Sequence, residues 1–411
     1  MNRRYRIVWI TDLALDSAVH RTSRIEILRH LAHRGHDVQL WGIRSRKPYS
    51  TGDPSVRTLC FPLRSAPLAH TLLFSIALFL FIPIYVLVKR PHFVIAEPYA
   101  PTLALMWKPL LSWCTHLRVI LDIRSTPVEI HGFANALKSL LFKISILIAK
   151  RVFDGITIIS AGMKDSLARD FRIDPDLIGV WSDGVSTRLF DPTVHVAEGL
   201  QLREKNHLSN AFVIFYHGAM TVDRGIVEAV RSIGILSESG YDDVVLFLLG
   251  SGPMLPAIKA LVHDRGLEGR VILHDVVDYT EVPKYIAMSD AGIVPLPKLS
   301  DWIHQCPLNL LEYLAMEKPV ILTDILGNRS IVGDSKCGTY VADANSCEFA
   351  KAIMHLHDNK KMLKQWGAQG RRIVREKYDW SKVAELFEQY LRTCGNGGVR
   401  IKHDPVGTAN G

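Results

Sequence analysis

Residues 6–41 constrain the fold most. Arg6 to Ile10 is a short apolar run that reads as a strand, and Thr22 to Arg34 reads as a helix with Ile25, Ile27, Leu28 and Leu31 on its apolar side. Gly35 ends that helix, and His36-Asp37-Val38-Gln39-Leu40-Trp41 is the next strand. Strand, helix, strand with a glycine stop is the opening of a doubly wound α/β domain. Pro91 to Ala96, Leu117 to Leu121 and Ile156 to Ser160 supply further strands, the last of them before a domain boundary. At 411 residues the chain is too long for one ordinary core, so two domains are expected.

Between the early strands lies Thr71 to Val88, which is apolar and carries no charge. Its length is borderline for a membrane span, which needs about 20 apolar residues. Topology argues against crossing. A span would put the strand near residue 8 and the strand near residue 94 on opposite sides of the bilayer, and one sheet could not contain both. The segment therefore reads as a helix against a membrane interface or buried between domains, with Pro83 bending it. Phe133 to Phe153 places Leu137, Leu140, Leu141, Ile144, Leu147 and Ile148 at helical spacing, with Lys138, Lys143, Lys150 and Arg151 outside that set. Such a helix suits an anionic lipid interface, and equally a core helix with a solvated basic edge. Trp107, Lys108 and Trp113 between these segments are types that suit the headgroup region.

Charge is unevenly distributed. The net charge is +8, yet residues 1–150 carry 20 Lys and Arg against 8 Asp and Glu, a balance of +12, while the remainder carries 29 against 33, a balance of −4. No nucleic-acid motif accompanies the basic half, whereas long apolar segments do, so an anionic membrane surface is the expected partner and nucleic acid is not. Six cysteines show neither C-x-x-C spacing nor a disulfide framework, which fits a reducing cytoplasm. Asp12 interrupts the first apolar run too early for a signal-peptide core. A cytoplasmic protein, peripheral on the inner face of the cell membrane, is expected.

In the second half, Cys306-Pro307-Leu308-Asn309-Leu310-Leu311-Glu312 reads as a helix opening behind a proline and carrying one acidic residue. Its first turn offers N–H groups without intrahelical partners and the positive end of the helix dipole, which together favour an anion such as a diphosphate. Glu312, one turn further in, is placed to accept hydrogen bonds from ribose hydroxyls. The alternative is an ordinary amphipathic helix with Leu310, Leu311, Leu314 and Ala315 in the core and Glu312 in solvent. Strands are expected at Val213–Tyr216, Val244–Leu249, Val271–His274, Ala291–Pro295 and Pro319–Thr323.

The setting of that helix favours the anion reading. Upstream stand Ser182-Asp183-Gly184 running to Asp191-Pro192, then Phe215-Tyr216-His217-Gly218-Ala219 with Arg224-Gly225, then Leu248-Leu249-Gly250-Ser251-Gly252-Pro253, then Ser289-Asp290-Ala291-Gly292. In this order and spacing the chain resembles the retaining family 4 glycosyltransferases of the GT-B fold over roughly residues 4–392, most densely from 155 to 382. The resemblance implies two Rossmann-like doubly wound domains facing across a cleft. The first, residues 1–192, would take the acceptor and meet the membrane, and the second, 193–377, would take the nucleotide-sugar donor. A closing helix, 378–394, would return to the first domain, and the Gly-rich tail, 395–411, is expected to be disordered.

The same resemblance implies roles for individual residues. Gly218 would let the backbone approach the donor phosphates, Gly250 and Gly252 would bracket a turn there, and Arg224 stands where the family usually has Lys in a Lys-Gly pair. His274 and Val276 lie where backbone atoms frame the base, which the sequence leaves open between uracil and guanine. Leu308, Asn309, Leu310, Arg224 and Lys298 would neutralise the leaving diphosphate. Asp122 stands where the family puts a residue facing the donor sugar, and Arg124 could bind an acceptor phosphate or a donor phosphate oxygen. The alternative for Asp122 is an internal pairing with Arg124 or backbone. His20 and Arg21 sit where a family loop meets the acceptor.

Three positions depart from the family pattern: His304 replaces a glutamate eight residues before Glu312, Ala219 replaces an arginine, and Asn309 stands where one branch has lysine. They leave open the donor sugar, with Asp301 and Gln305 as further candidates for reading it, and catalytic competence. The only D-x-D, Asp174-Pro175-Asp176, reads as a turn, so no metal and no cofactor is implied. The implied activity is hexosyl transfer with retention from a UDP- or GDP-sugar to a lipid-linked or glycan acceptor. A soluble enzyme acting on a small molecule, and a non-catalytic sugar-nucleotide-binding protein, are the alternatives.

Overall fold

The computed structural model describes residues 4–15, 21–43, 53–61, 69–126, 133–299 and 302–395. His20, Asp301 and the tail from residue 396 lie outside them. The chain divides into one unit of Met1–Ser182 with Trp380–Gly411, and a second of Asp183–Asp379.

The first unit contains β1 (Arg6–Ala14), α1 (Arg21–His33), β2 (Asp37–Ile43), β3 (Val56–Phe61), α2 (Ala69–Lys89), β4 (Phe93–Ala96), α3 (Ala100–Ala104), α4 (Lys108–Leu111), β5 (Arg118–Ile123), α5 (Phe133–Val152), β6 (Gly155–Ile158), α6 (Ala161–Phe171) and β7 (Ile178–Val180). Its strands form one sheet in the order β3-β2-β1-β4-β5-β6-β7, every neighbouring pair parallel. Ile7, Val8, Trp9 and Ile10 are all buried, as expected of a strand covered on both faces. Gly35, at φ +93°, closes α1 by a Schellman arrangement in which His36 N donates to Leu31 O and Gly35 N to Ala32 O.

The second unit contains α7 (Val196–Lys205), β8 (Phe212–His217), α8 (Ile226–Glu238), β9 (Val244–Leu249), α9 (Leu255–Asp264), β10 (Val271–His274), α10 (Val282–Ala287), β11 (Ala291–Val294), α11 (Leu308–Ala315), β12 (Val320–Thr323), α12 (Leu326–Val332), β13 (Gly338–Val341), α13 (Ser346–Asp358) and α14 (Leu363–Ile373). Its parallel sheet runs β10-β9-β8-β11-β12-β13. The last helix, α15 (Trp380–Gly395), belongs to the first unit, where Tyr390 donates to Ile156 O and Leu177 O and Glu388 binds Arg34, His36 and Arg392.

Two expectations need correction. The division falls at Ser182/Asp183 rather than at 192, because Val185 N donates to Tyr378 O, Thr187 is held by Asp379, and Phe190 lies in the second unit's core. Ile156–Ser160 is also not the last strand of the first domain. β7 follows it as a three-residue edge strand, where Gly179 leaves room for the Tyr390 ring, 2.4 Å from where a Cβ would stand.

α2 has two apolar faces. Phe74, Leu78, Ile82 and Val86, spaced by four, are buried against Trp41, Val94 and Val119, while Leu80 and Ile84 are each 64% exposed. The helix is continuous through Pro83. It is long and apolar enough to cross a membrane by length and composition, but it joins β3 and β4 of one sheet and cannot cross. α2 to α5 share one side of that sheet, since Val119 packs with α2 while Leu121 and Ile123, two and four residues on, pack with Phe142 and Ile146 of α5.

Candidate active site

In open α/β sheets ligands bind beyond the carboxyl ends of the strands, where the strand order reverses. In the second unit that place lies between β8 and β11, and the N-terminus of α11 is fastened there. His217, the last residue of β8, donates its N–H to the Tyr313 hydroxyl at 3.1 Å, and its carbonyl accepts from Asn309 Nδ2 at 3.3 Å. Asn309 Oδ1 accepts from Leu310 N, and the first-turn N–H groups of Leu308 and Asn309 have no intrahelical acceptor.

The glycine turns are built for close backbone approach. Gly218 and Gly250, both at positive φ, continue the ladder past the strands, Gly218 N donating to Leu249 O and Gly250 N to His274 O. A Cβ on Gly250 would stand 2.0 Å from Gly218 O, and one on Gly252 2.3 Å from Met220 O, so neither turn admits another residue without moving.

Glu312 is buried, at 2% exposure, and not in solvent. Its Oε1 accepts from the Tyr279 hydroxyl at 2.7 Å. His217 Nε2 lies 2.9 Å from Oε2, an ion-pair distance at which neither atom makes an aligned hydrogen bond. His217 itself stacks on Phe215 and meets the Tyr313 ring edge-on. Arg224 is half-buried, its guanidinium 4.2 Å from the centre of the Trp302 ring, and its Nε has no hydrogen-bond partner among the described residues. Stacking fixes the cation's position and leaves that donor unused. His274 closes β10, with Nε2 3.2 Å from the Tyr285 hydroxyl, and Val276 is exposed. Lys298 is exposed beside Asp324, whose carboxyl is held low first by its hydrogen bond to Arg329 and also by the Lys298 charge. His304 is half-buried between Trp302 and Cys306.

The first-unit candidates fare differently. Asp122 on β5 is fully buried, and its Oδ1 accepts from Thr157 Oγ1 at 2.6 Å and Trp181 Nε1 at 2.9 Å. Burial pushes its pKa up to about 6. Its Oδ1 is thus engaged inside the first unit, by Thr157 and Trp181 and not by the Arg124 or backbone pairing weighed as the alternative. Arg124 stacks on that Trp181 ring, 3.8 Å from its centre, and donates to Trp181 O, so the two residues meet at a shared tryptophan and not in the direct pair of the alternative reading. Arg21 opens α1, but its side chain, like His20, lies outside what is described. Asp174 caps a turn by accepting from Asp176 N. Among the described residues no cluster of His, Cys, Asp and Glu could hold a metal.

Sequence reasoning missed a second group, at the reversal between β1 and β4. Glu97, just past β4, accepts from Trp9 Nε1, Thr11 Oγ1 and both Nε and Nη2 of Arg24, all buried. Asp12, on β1, is pushed up to about 7 by burial and then by the Glu97 charge. Tyr99, next to it, sits at φ +75°. Carboxylates ending two adjacent parallel strands were the available signal. Tyr279 was missed as well, since nothing in the sequence marks a tyrosine 33 positions from the glutamate it holds.

Two parallel doubly wound units, with an anion-accepting helix start at a strand reversal, define the GT-B class of fold. Residues 200–373 match the profile of the Glycosyl transferases group 1, and residues 22–189 that of Glycosyltransferase Family 4. Between them these cover most of the chain, which belongs to this family. A glycosyltransferase of Rickettsia africae superposes with a TM-score of 0.75 at 17% identity, covering 97% of this chain and 100% of that one. HepE from Anabaena in complex with UDP-glucose superposes at 0.72 with 13% identity, covering 95% and 100%. The GDP-mannose-dependent alpha-(1-6)-phosphatidylinositol monomannoside mannosyltransferase of Mycobacterium tuberculosis is 25% identical over 253 residues, 60% of this chain and 64% of that protein. The chain spans about half to two-thirds of the length of the curated relatives it matches.

Proposed function

We propose that this protein is a retaining glycosyltransferase that moves a hexose-type sugar from a nucleotide-diphosphate donor to a lipid-linked or glycan acceptor at the cytoplasmic face of the membrane. The observation that carries the donor half is the α11 start pinned to the end of β8, with Glu312 one turn inside it and Arg224 stacked on Trp302. Family membership supplies the reaction. The acceptor hydroxyl oxygen bonds to the sugar anomeric carbon on the face from which the diphosphate leaves, the carbon–oxygen bond to the β-phosphate breaks with its electrons on the phosphate, and the proton passes to that phosphate. Helix N–H groups, Arg224 and Lys298 offset the departing charge, so no metal is required. Glu312 takes the ribose hydroxyls. UDP is favoured by the UDP-glucose complex of HepE, and GDP stays open through the mannosyltransferase.

The membrane half is supported by the outer face of α2 together with Met106, Leu110 and Trp113, the last 90% exposed, and by Lys143 and Lys150 on α5 beside exposed Leu140 and Leu147. The test is calorimetry with UDP and GDP, followed by nucleoside diphosphate release from the matching sugar in excess chelator. Glu312→Ala is expected to weaken nucleotide binding by about 10- to 100-fold, the loss of a charge-assisted hydrogen bond of roughly 1.5–3 kcal/mol. Unchanged binding would remove the pocket from α11, turnover abolished by chelator would remove the metal-free mechanism, and binding without any release would favour the non-catalytic reading.

A further inference from the structure

Resting on the membrane reading above, we propose that the first unit holds a pocket for the phosphodiester headgroup of an anionic membrane lipid, walled by Lys108, His116 and Arg118. A cavity of 300 Å³ opens at the amino ends of β1, β4 and β5. That is the low end of the range of small-molecule sites, about 300–1,000 Å³. Tyr5, Phe93 and Leu117, all buried, form its apolar floor. Glu97 and Asp122 lie at the other ends of β4 and β5, so the cavity is separate from the group at the strand reversal, and the lipid it holds is an anchor and not the acceptor.

Charge and unused donors select the ligand. Asp154 Oδ1 accepts from Lys108 Nζ at 3.1 Å and from Arg118 Nη1 at 2.9 Å, and its Oδ2 accepts from Val119 N at 2.8 Å. One carboxylate thus fixes two cations on the cavity wall and leaves one positive charge in excess, the complement of a phosphodiester with its single negative charge. Beyond the bonds to Asp154, the side-chain N–H donors of Lys108 and Arg118 have no acceptor among the described residues. His116, exposed at the rim, has no hydrogen-bond partner among them either. Ser112 and Thr115 spend their hydroxyl hydrogens on Pro109 O and Leu111 O, so the cations and not the hydroxyls meet the anion.

The surroundings favour an anion that comes with acyl chains. Met106, Leu110 and Trp113, exposed by 57, 60 and 90%, stand on the same short segment as Lys108, Ser112 and His116. Trp107 packs on Phe79, ring centres 4.7 Å apart, and donates to Phe79 O, which joins that segment to α2. α2 in turn ends in exposed Leu87 and Val88, shortly before His92 of the cavity wall. Apolar residues therefore flank the cationic pocket from two segments. A lipid covers them with its chains while its phosphate meets Lys108 and Arg118, whereas a free phosphate ion leaves them bare.

Sedimentation of the full chain with phosphatidylglycerol vesicles at about 1 M salt, where the Debye length is about 3 Å, tests this. Attraction to a merely charged surface is screened there, while direct contact in a partly enclosed pocket is screened much less. Arg118→Gln leaves Lys108 on Asp154 and removes the excess charge. His116→Glu puts a carboxylate at the rim and leaves the Asp154 contacts intact. Each is expected to weaken binding about 10-fold, the loss of a charge-assisted contact, whereas Lys143→Gln, which removes one charge from the exposed side of α5, is expected to change it by less than about twofold at this salt. A pocket variant that loses no more than Lys143→Gln overturns the proposal and leaves the membrane reading standing, as does complete release of the wild type at this salt. Inorganic phosphate, added at the concentration of the lipid phosphate with ionic strength held constant, is expected to release none of the protein. Release would assign the pocket to a soluble phosphate and overturn the lipid. If wild type sediments at low salt with neither phosphatidylglycerol nor phosphatidylcholine vesicles, the membrane reading fails and this inference fails with it.

Discussion

Asp122 illustrates how burial sets the proton affinity of a strand-end carboxylate. Its side chain is enclosed by Thr157 and Trp181, with Arg124, Glu97 and Arg24 as the charges around it, and burial outweighs Arg124 in setting its pKa. The folded value, about 6, lies above the ordinary 3.8, so the folded protein holds this proton more tightly than the unfolded chain does. The contribution of Asp122 to stability therefore falls as pH rises from about 4 to about 6 and is level above that. Asp122→Asn keeps an acceptor for Thr157 and Trp181 but cannot ionise. Its melting temperature relative to wild type is expected to rise between pH 4 and pH 7. A difference that does not change with pH would show that Asp122 carries no proton linkage. In the sequence, a strand-end aspartate two residues from an arginine reads as a sugar-facing group or as one half of an internal pair with that arginine. Only the fold reveals that Trp181, 59 positions away, comes between them.

α2 is the element whose two faces make separable predictions. Leu78→Ala empties a site buried among Phe74, Ile82 and the sheet, and is expected to cost about 2–5 kcal/mol of unfolding free energy, read by denaturant titration. Leu80→Asp with Ile84→Asp replaces two exposed residues, and is expected to leave stability within about 0.5 kcal/mol while removing most vesicle binding. Retention of binding by that pair would move the lipid surface off α2. The apolar run was legible as a helix, and the shared sheet excluded a span, but which residues face inward depends on where Trp41 and Val119 lie. The central strands were legible as well, because parallel strands covered on both faces read as continuous apolar runs. Three of the four edge strands escaped notice, β10 being the exception: β3 alternates in burial, β7 is three residues long, and β13 opens at Gly338, whose Cβ would stand 2.1 Å from Val320 O.

Across the whole molecule, the five ordered motifs exposed the family, because glycine turns and a proline-led helix start are local features with local causes. The partners of Glu312 and Asp122 were not legible, since each is a long-range contact that only the sheet order brings together. The uneven charge belongs to this scale too. The basic excess of residues 1–150, +12 against −4 for the remainder, resides in the same unit as the exposed apolar outer face of α2 and the exposed Trp113. Apolar insertion is insensitive to salt, whereas attraction of Lys138, Lys143, Lys150 and their neighbours to anionic headgroups is screened as the Debye length falls from about 10 Å at 0.1 M to about 3 Å at 1 M. The protein is therefore expected to sediment with anionic vesicles more than with neutral ones, and to lose part of that binding, not all of it, across this salt range. Equal partitioning onto neutral and anionic vesicles would leave α2 as the anchor and remove the electrostatic component. Complete release at high salt would do the reverse, and would assign the exposed leucines of α2 to contact with a second protein surface instead of lipid.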